Sequence, residues 1–589
     1  MDQAILEKAT YWATNESFDE KTRREISALI EAKDEKELTE RFYRDLEFGT
    51  GGLRGIIGAG TSRMNRYNIM RASYSLGSYV KEFFASEAKT RIAISHDSRN
   101  FSREYAEQAA CVLAKLGIEV LITKELRPVP MLSYMVRHFG CHAGICITAS
   151  HNPPEYNGFK VYWQTGGQLV PPHDKKIIDI YNESNDYAML PTLETFDEGV
   201  SSGSIRIIDS ELDDAYFEKV MGLSFAGNLD KNIKIVYSPL HGAGLYPVTE
   251  MLKKMGFNNV EVVKEQAVQS GDFPTVKSPN PEDDSALSMA LDLARKTNAD
   301  LVMATDPDCD RIGMYIRDGE DYFKPNGNQI GCLLNQFVID RHKENKTLPE
   351  KPFIVKTIVT TDLQREIAEA EGLECPETLT GFKWICQLVE DYQTKEGKNF
   401  VCGGEESYGF LAGSFVRDKD GVISCAVAAQ YVAWLRGSGL SPKKDLYNIF
   451  RKFGCYHETL HNLVLPGKSG AEKIAKMMEV LRANPPKVLA GVSVSALNDY
   501  QLGATYSGEA LTSKSDLNFP KSNVLQFVLE DGSKVSVRPS GTEPKIKFYV
   551  SVKNADAIGK NDEDIAVIEK ACIDKAHSLE EVFVKLSDV

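Results

Sequence analysis

At 589 residues the chain is longer than one hydrophobic core supports, so roughly three to five domains are expected. Its apolar and charged fractions, 42% and 26%, are those of a folded globular protein, and the net charge of -15 excludes a general binder of nucleic acid or acidic membranes. No apolar run reaches the ~18 residues of a membrane span, the N-terminus lacks the apolar centre of a signal peptide, and the cysteines are scattered without zinc-type pairing, which points to a reducing, cytoplasmic compartment.

Residues 1–44 read as an N-terminal helical extension packed on the first domain. Thr22-Arg23-Arg24-Glu25 has the form of a capping box, and Ile26, Leu29 and Ile30 recur at helical spacing ahead of Leu38 and Phe42. Gly49-Thr50-Gly51-Gly52-Leu53-Arg54-Gly55 then breaks the pattern. Its glycines allow a tight path that presents a guanidinium, although a structural turn uses the same residues. From Arg91 the chain alternates strand and helix: Arg91–Ile94, a helix from Tyr105 to Leu116, Val120–Ile122, and Gly144–Ile147. This alternation predicts a mostly parallel sheet with helices on both faces and ligand sites outside the carboxyl ends of its strands. Asp97-Ser98-Arg99 is one strand-end loop, or equally a salt-bridged helix start. Gly199–Ser204, rich in glycine and serine, marks a boundary, so 45–200 is read as domain I.

Domain II is read as 205–318, with a helix at 209–221, strands at 233–237, 260–263 and 300–304, and helices at 248–255 and 284–295. Domain III, 322–440, has a helix at 328–341, a strand at 353–359, a helix at 362–371, the run Val401–Gly404, and a helix at 421–436. A Ser-Pro pair and lysines near Leu440 read as a linker. Domain IV, 460–589, differs: strands 524–530 and 534–537 flank Asp531-Gly532, a hairpin signal, with a further strand at 546–552 and helices at 471–481 and 565–576. The fold class is therefore three similar α/β domains with mixed or mostly parallel sheets and a smaller C-terminal α+β domain.

Four loops carry the chemistry. Thr148-Ala149-Ser150-His151-Asn152-Pro153-Pro154 ends a buried strand and is stopped by two prolines, which suits a held hydroxyl as well as an ordinary turn. Asp306, Asp308 and Asp310 follow a strand at alternate positions. Three converging carboxylates repel unless a cation compensates them, and hard divalent metals take oxygen ligands. Gly404-Glu405-Glu406-Ser407-Tyr408-Gly409 offers carboxylates and a hydroxyl, which suits the vicinal hydroxyls of a sugar and suits an exposed turn equally. Arg538-Pro539-Ser540-Gly541-Thr542-Glu543-Pro544-Lys545 combines cations, hydroxyls and flexible backbone amides, the inventory of a phosphate nest.

Together these loops resemble one family, the α-D-phosphohexomutases of the phosphoglucomutase/phosphomannomutase superfamily. TASHNP at 148–153 matches its serine loop, 306–311 its DxDxDR metal loop, 404–407 its GEES sugar loop and 538–544 its RPSGTEP phosphate loop, over about residues 40–555. The resemblance implies four domains in a heart shape around a central cleft, and a phosphoserine enzyme that needs Mg2+. It implies that Ser150 carries the phosphate, that Asp306, Asp308 and Asp310 hold Mg2+ with a phosphoserine oxygen, and that Arg54 lies near the phosphoserine. His151 and Lys160 are implied to transfer protons or stabilise charge, Arg311 and Lys383 to contact substrate, and Glu405 and Ser407 to bind sugar hydroxyls. Arg538, Ser540, Gly541 and Thr542 are implied to hold the non-reacting phosphate, while Cys309 fills a variable slot and should point away from the metal.

The implied reaction interconverts α-D-glucose 1-phosphate and 6-phosphate through glucose 1,6-bisphosphate. The GEES loop and Lys383 lean that way, whereas Tyr162–Gln168 and Pro172–Lys175 also resemble a branch with phosphopentomutases; phosphomannomutase is a further alternative, and a non-catalytic sugar-phosphate binder is the alternative of another class. The expected partners are hexose monophosphates, with the protein a monomer or homodimer.

Overall fold

The computed structural model describes residues 2–49, 51–465, 467–508, 511–540 and 545–586. They form two compact units. One holds the chain up to Arg317 together with Cys386–Cys402 and Ser407–Ser438; the other holds Asp318–Ile385, Gly403–Glu406 and the chain from Gly439 onward.

The N-terminal extension is helical in three pieces, Gln3–Thr14, Glu20–Glu31 and Glu35–Phe42. Its capping departs from expectation. Asp19, not Thr22, caps the second helix by accepting from Thr22 N at 2.8 Å, and its other oxygen accepts from the Tyr67 hydroxyl at 2.8 Å. A carboxylate three residues earlier satisfies the orphan amide that the capping-box reading left open. Trp12, Phe18, Ile26, Leu38 and Phe42 pack with Tyr67, Met70 and Tyr187, so the extension is docked on the region that follows.

Six strands form the first sheet: β1 (Gly52–Ile56), β2 (Arg91–His96), β3 (Glu119–Thr123), β4 (Ala143–Ile147), β5 (Tyr156–Trp163) and β6 (Ile205–Ile208), in the order β1-β5-β4-β2-β3-β6. The strands β4, β2, β3 and β6 run parallel. β5 is antiparallel to both β4 and β1, so this sheet is mixed, as the expected fold class allows. The loop 148–155 between β4 and β5 is too short for the crossover that parallel pairing requires. A second correction concerns the boundary at Gly199–Ser204. Those residues end a helix, Phe196–Ser202, and β6 beyond them still belongs to the first sheet.

The second sheet repeats the scheme. Strands β7 (Ile235–Ser238), β8 (Val260–Val262) and β9 (Leu301–Thr305) are parallel, and β10 (Ile312–Asp318) returns antiparallel along β9 after a tight turn. In both sheets, then, a fully buried apolar strand is followed by an antiparallel return, and the loops that lead into the two returns are the Ser150 loop and the Asp306 loop. Helix Gly421–Ser438 is buried along almost its whole length and packs on helix Leu245–Lys254 and on β9. Its apolar character on every face is what a helix enclosed by protein needs.

In the other unit, strand Pro352–Thr357 pairs in parallel with Glu377–Thr378. The C-terminal sheet is antiparallel, running 455–464, 545–554, 534–539, 525–529, 492–499, and the hairpin expected around Asp531-Gly532 is present. The expected linker near Leu440 is short, residues 439–441, and falls where the first unit ends at Ser438 and the second resumes at Gly439. Ser441 caps helix Pro442–Phe453, accepting from Lys444 N at 3.2 Å, and Pro442 occupies the first turn, where its missing amide hydrogen is not needed. Among the described residues no helix is long and apolar enough to cross a membrane.

Candidate active site

Ser150 lies three residues beyond β4 with φ 53°, a left-handed backbone that a non-glycine residue adopts only when its surroundings hold it there. The holding contacts are specific. Thr148 Oγ1 accepts from Ser150 N at 2.9 Å and donates to Asp308 Oδ2 at 3.2 Å. The buried Arg99 guanidinium donates to the carbonyls of Ser150 and Asn152, both at 2.5 Å, and to those of Pro153 and Tyr156 at 2.9 and 3.0 Å. Thus Asp97-Ser98-Arg99 is a strand-end loop ahead of helix Ser102–Lys115, with Asp97 accepting from the Ser102 hydroxyl at 2.8 Å, and a clamp on the serine loop.

The serine hydroxyl donates to Asp306 Oδ2 at 2.9 Å and lies 3.2 Å from His151 Nδ1. Burial, with Arg311 and Arg54 nearby, holds the His151 imidazole well below its ordinary range, so the ring is neutral. Asp306, Asp308 and Asp310 are fully buried, and each offers an oxygen within 4.8 Å of the others. The loop that carries them is wound tightly: amides of Asp310 and Arg311 both donate to Asp306 Oδ1 at 3.1 Å. Gly242 lets it seat, since a Cβ there would come within 2.3 Å of Pro307 Cα. Cys309, at φ 52°, turns its thiol toward Thr305 and Cys425, away from the carboxylates, as expected.

Two lysines from different parts of the chain enter the carboxylate cluster. Lys160 Nζ on β5 lies 2.7 Å from Asp308 and 3.1 Å from Asp310. Lys419, just ahead of the buried helix, lies 2.9 Å from Asp310 and 3.3 Å from Asp418. Burial raises the Asp310 carboxyl, but Lys160, Lys419 and Arg311 together outweigh it and hold it well below the usual carboxylate range. Asp306 is driven the other way by burial and by the charges of Asp308 and Asp310. Asp308 Oδ1 and Asp310 Oδ1 are buried and accept no hydrogen bond. Two orphaned carboxylate oxygens beside a third carboxylate fit a hard divalent cation such as Mg2+.

Of the other expected residues in this unit, Arg311 pairs with Glu282 and stands 4.0 Å from Asp310, and Arg54 donates to Asn152 Oδ1 at 3.2 Å. Ser407 falls in the turn between strands Asn399–Glu405 and Gly409–Ala412.

In the second unit Tyr549 gathers several candidates. Its hydroxyl lies in the field of Glu406, Arg538 and Glu405, while Glu406 accepts from the hydroxyls of Thr357 and Thr360 at 3.3 and 3.0 Å. Trp384 packs against the same cluster, and the neighbouring Lys383 places its ammonium 5.3 Å from the Trp384 ring. Ser540 N donates to Lys545 O at 2.8 Å; Gly541 and Thr542 lie outside the described residues.

Three residues at the serine and aspartate loops escaped sequence reading as parts of a site: Arg99, Thr148 and Lys419. The charged run Arg417-Asp418-Lys419-Asp420 directly ahead of an all-apolar helix was the signal for the last, since charges so placed enter the interior with the helix.

Comparison with known proteins agrees with this geometry. The profiles for Phosphoglucomutase/phosphomannomutase, alpha/beta/alpha domains I, II and III, match residues 45–188, 214–319 and 326–453, and that for the C-terminal domain matches 467–567. A phosphoglucomutase of Staphylococcus saprophyticus is 34% identical over 538 residues, covering 90% of this chain and 95% of its own; one of Staphylococcus aureus is 36% identical, covering 90% and 94%. Among solved structures, a putative phosphomannomutase from Thermus thermophilus superposes with a TM-score of 0.63 at 21% identity, covering 91% of this chain and 99% of its own. Parafusin from Paramecium, in an open form, gives 0.64 at 17%, covering 91% and 96%. With matching profiles over all four regions and relatives of this identity along most of its length, the chain belongs to the phosphoglucomutase/phosphomannomutase family of phosphohexomutases.

Proposed function

We propose that this phosphohexomutase is a phosphoglucomutase, interconverting α-D-glucose 1-phosphate and α-D-glucose 6-phosphate through phospho-Ser150 and a glucose 1,6-bisphosphate intermediate. One observation carries the reading: a serine hydroxyl on a strained, clamped loop is shared between a neutral imidazole and a buried carboxylate cluster. The name shared by relatives at 34 and 36% identity supports glucose. The residues that lean toward pentose phosphates have other work: Trp163 stacks on His173 at 4.3 Å, and Tyr162 donates to Asp418 at 2.7 Å.

Moving a phosphoryl group between two hydroxyls of one sugar needs a relay, because both oxygens cannot approach one phosphorus in line. Phospho-Ser150 gives its phosphoryl group to the free hydroxyl of the monophosphate, forming the bisphosphate and leaving the serine oxygen to take up a proton. After the bisphosphate turns end for end, Ser150 Oγ attacks its other phosphorus and yields its proton to the neutral His151 ring, while the bond from that phosphorus to the sugar oxygen breaks and the departing oxygen takes up a proton as the hydroxyl of the released monophosphate. Lys160, Arg311 and Arg54 set positive charge around the transferring oxygens. Asp306, Asp308 and Asp310 would hold Mg2+, which would supply Lewis acidity toward the phosphoryl group on Ser150. Lys383, Glu405 and Ser407 recognise the sugar, and Arg538, Ser540, Gly541 and Thr542 hold the phosphate that is not reacting.

The test compares kcat/KM on glucose 1-phosphate, mannose 1-phosphate and ribose 1-phosphate with the bisphosphate and Mg2+ present. Glucose 1-phosphate is expected to lead by at least about tenfold, with chelation abolishing turnover and Ser150→Ala losing nearly all of it. A lead by either other sugar phosphate would move the assignment to that substrate, and a fully active S150A would reject the nucleophile.

A further inference from the structure

Arg99 lies between the serine loop and the segment 271–278, and its side chain is fully buried. Its fork donates to four carbonyls of one loop, those of Ser150, Asn152, Pro153 and Tyr156, at 2.5 to 3.0 Å. Asp97 balances its charge, with Oδ2 3.4 Å from Nε. The guanidinium also lies over the Phe273 ring at 4.9 Å. The same segment touches the loop elsewhere, the Ser278 hydroxyl donating to His151 O at 2.7 Å, and it is tied to the neighbour of Arg99, Asn100 Nδ2 donating to Asp272 Oδ1 at 2.7 Å. One planar cation thus fixes the backbone at and after a serine whose φ of 53° is unfavourable in a free loop.

We propose that Arg99 is a positioning residue for phosphoryl transfer: it sets where Ser150 Oγ stands relative to Asp306 and His151, and touches neither substrate nor phosphate itself. The inference rests on Ser150 being the phosphoryl carrier. The mechanism follows from geometry. A guanidinium reaches four carbonyls at once, whereas an ammonium has three hydrogens on one point and no planar fork, and an apolar side chain leaves four buried carbonyls unpaired. Once released, the loop relaxes toward ordinary backbone angles and carries the serine oxygen out of reach of its acceptors. A displacement of about 1 Å is enough to cost roughly 100-fold in rate.

The experiment uses the full-length enzyme and three variants, Arg99→Lys, Arg99→Met and Phe273→Leu. Phosphate on Ser150 is followed by peptide mass after mixing the dephosphorylated enzyme with glucose 1,6-bisphosphate, beside kcat, KM for glucose 1-phosphate, and melting temperature. R99M is expected to load Ser150 and turn over roughly 100-fold more slowly, with KM within about threefold of wild type, and R99K is expected to fall between them. F273L, which keeps the fork and removes only the ring beneath it, should slow loading by a smaller factor and remain folded. Loss of melting temperature with unchanged loading in the folded fraction of R99K and F273L would show a merely structural arginine and overturn the proposal, even if R99M fails to fold. Wild-type enzyme that takes phosphate elsewhere than Ser150 would instead defeat the carrier assignment, and the two failures are read from different samples.

Discussion

Asp420 shows how a single buried acid ties stability to pH. It stands where the buried helix begins, accepting from the Tyr216 hydroxyl at 2.6 Å and from Ile423 N at 2.9 Å. Burial is the main cause that pushes its carboxyl up to about 7. An unfolded Asp loses its proton near 4, so between that value and 7 the folded chain keeps a proton that the unfolded chain has released. This contribution to stability is complete below the unfolded value and is lost as pH rises through the folded one, with a slope of up to about 1.4 kcal/mol per pH unit. Asp420→Asn keeps an acceptor for the Ile423 amide and a polar partner for Tyr216, so it should flatten that share of the curve and melt above wild type at pH 8. Denaturant titrations from pH 4 to 8 check this; an unchanged slope in D420N would place the acid's titration elsewhere. The same scale divides what the sequence discloses from what it hides. Ser150 and the three aspartates stand in short motifs whose chemistry is local, and they are legible. Arg99 and Lys419 are chosen by distances across the fold, 51 and 109 positions away from the residues they serve, and the short charged runs that carry them do not say which residues they meet.

At the scale of elements, the N-terminal helices are the clearest case of a structure that periodicity foretells and detail alters. Trp12 is 1% exposed and stacks on Phe18 at 4.3 Å, with Phe42, Tyr67 and Tyr187 meeting it edge-on within 6 Å. Trp12→Ala removes the centre of this cluster and should destabilise the first unit by about 3–5 kcal/mol, while kcat of the folded enzyme stays near wild type because the cluster lies outside the serine and aspartate loops. Thermal melts and activity measured on the same preparation separate the two effects, and a W12A melt within a degree of wild type would show the extension to be dispensable. The helices themselves were readable because their apolar residues repeat at helical spacing. Their caps were not, since Asp19 and Thr22 are both good caps and the Tyr67 hydroxyl, 48 residues away, decides between them. β5 and β10 were missed as antiparallel returns for a related reason: strand direction depends on loop length and on which edge is free, whereas apolar runs report only that a strand is buried. Ser441-Pro442 closes a three-residue link and starts a helix at once, because turns and helix starts share those residues.

Over the whole molecule, the order of the chain and the order of the fold disagree. The unit that contains the serine and aspartate loops is not finished at Arg317. It also needs Cys386–Cys402 and Ser407–Ser438, including the helix Gly421–Ser438 that packs on β9 and supplies the neighbouring Lys419. Further bonds fasten that helix to earlier chain: Phe225 N donates to Gln430 Oε1 at 2.8 Å, and Asp230 N to Ala433 O at 3.0 Å. A polypeptide ending at Arg317 therefore exposes the apolar bed of a helix it does not contain. It should aggregate or give no cooperative calorimetric transition, where the full chain gives one; a soluble fragment with a sharp melt would refute the dependence.

The late arrival of that helix sets a timetable for synthesis. At a ribosomal rate of about 5–20 residues per second, the roughly 120 residues between Arg317 and Ser438 take on the order of 6–24 s to make. During that interval the nascent chain holds two nearly complete sheets and three aspartates with Lys160 in place but Lys419 still unmade. The apolar bed stays open to chaperones for as long as translation lasts, and a pause in this stretch of the message lengthens the exposure in direct proportion.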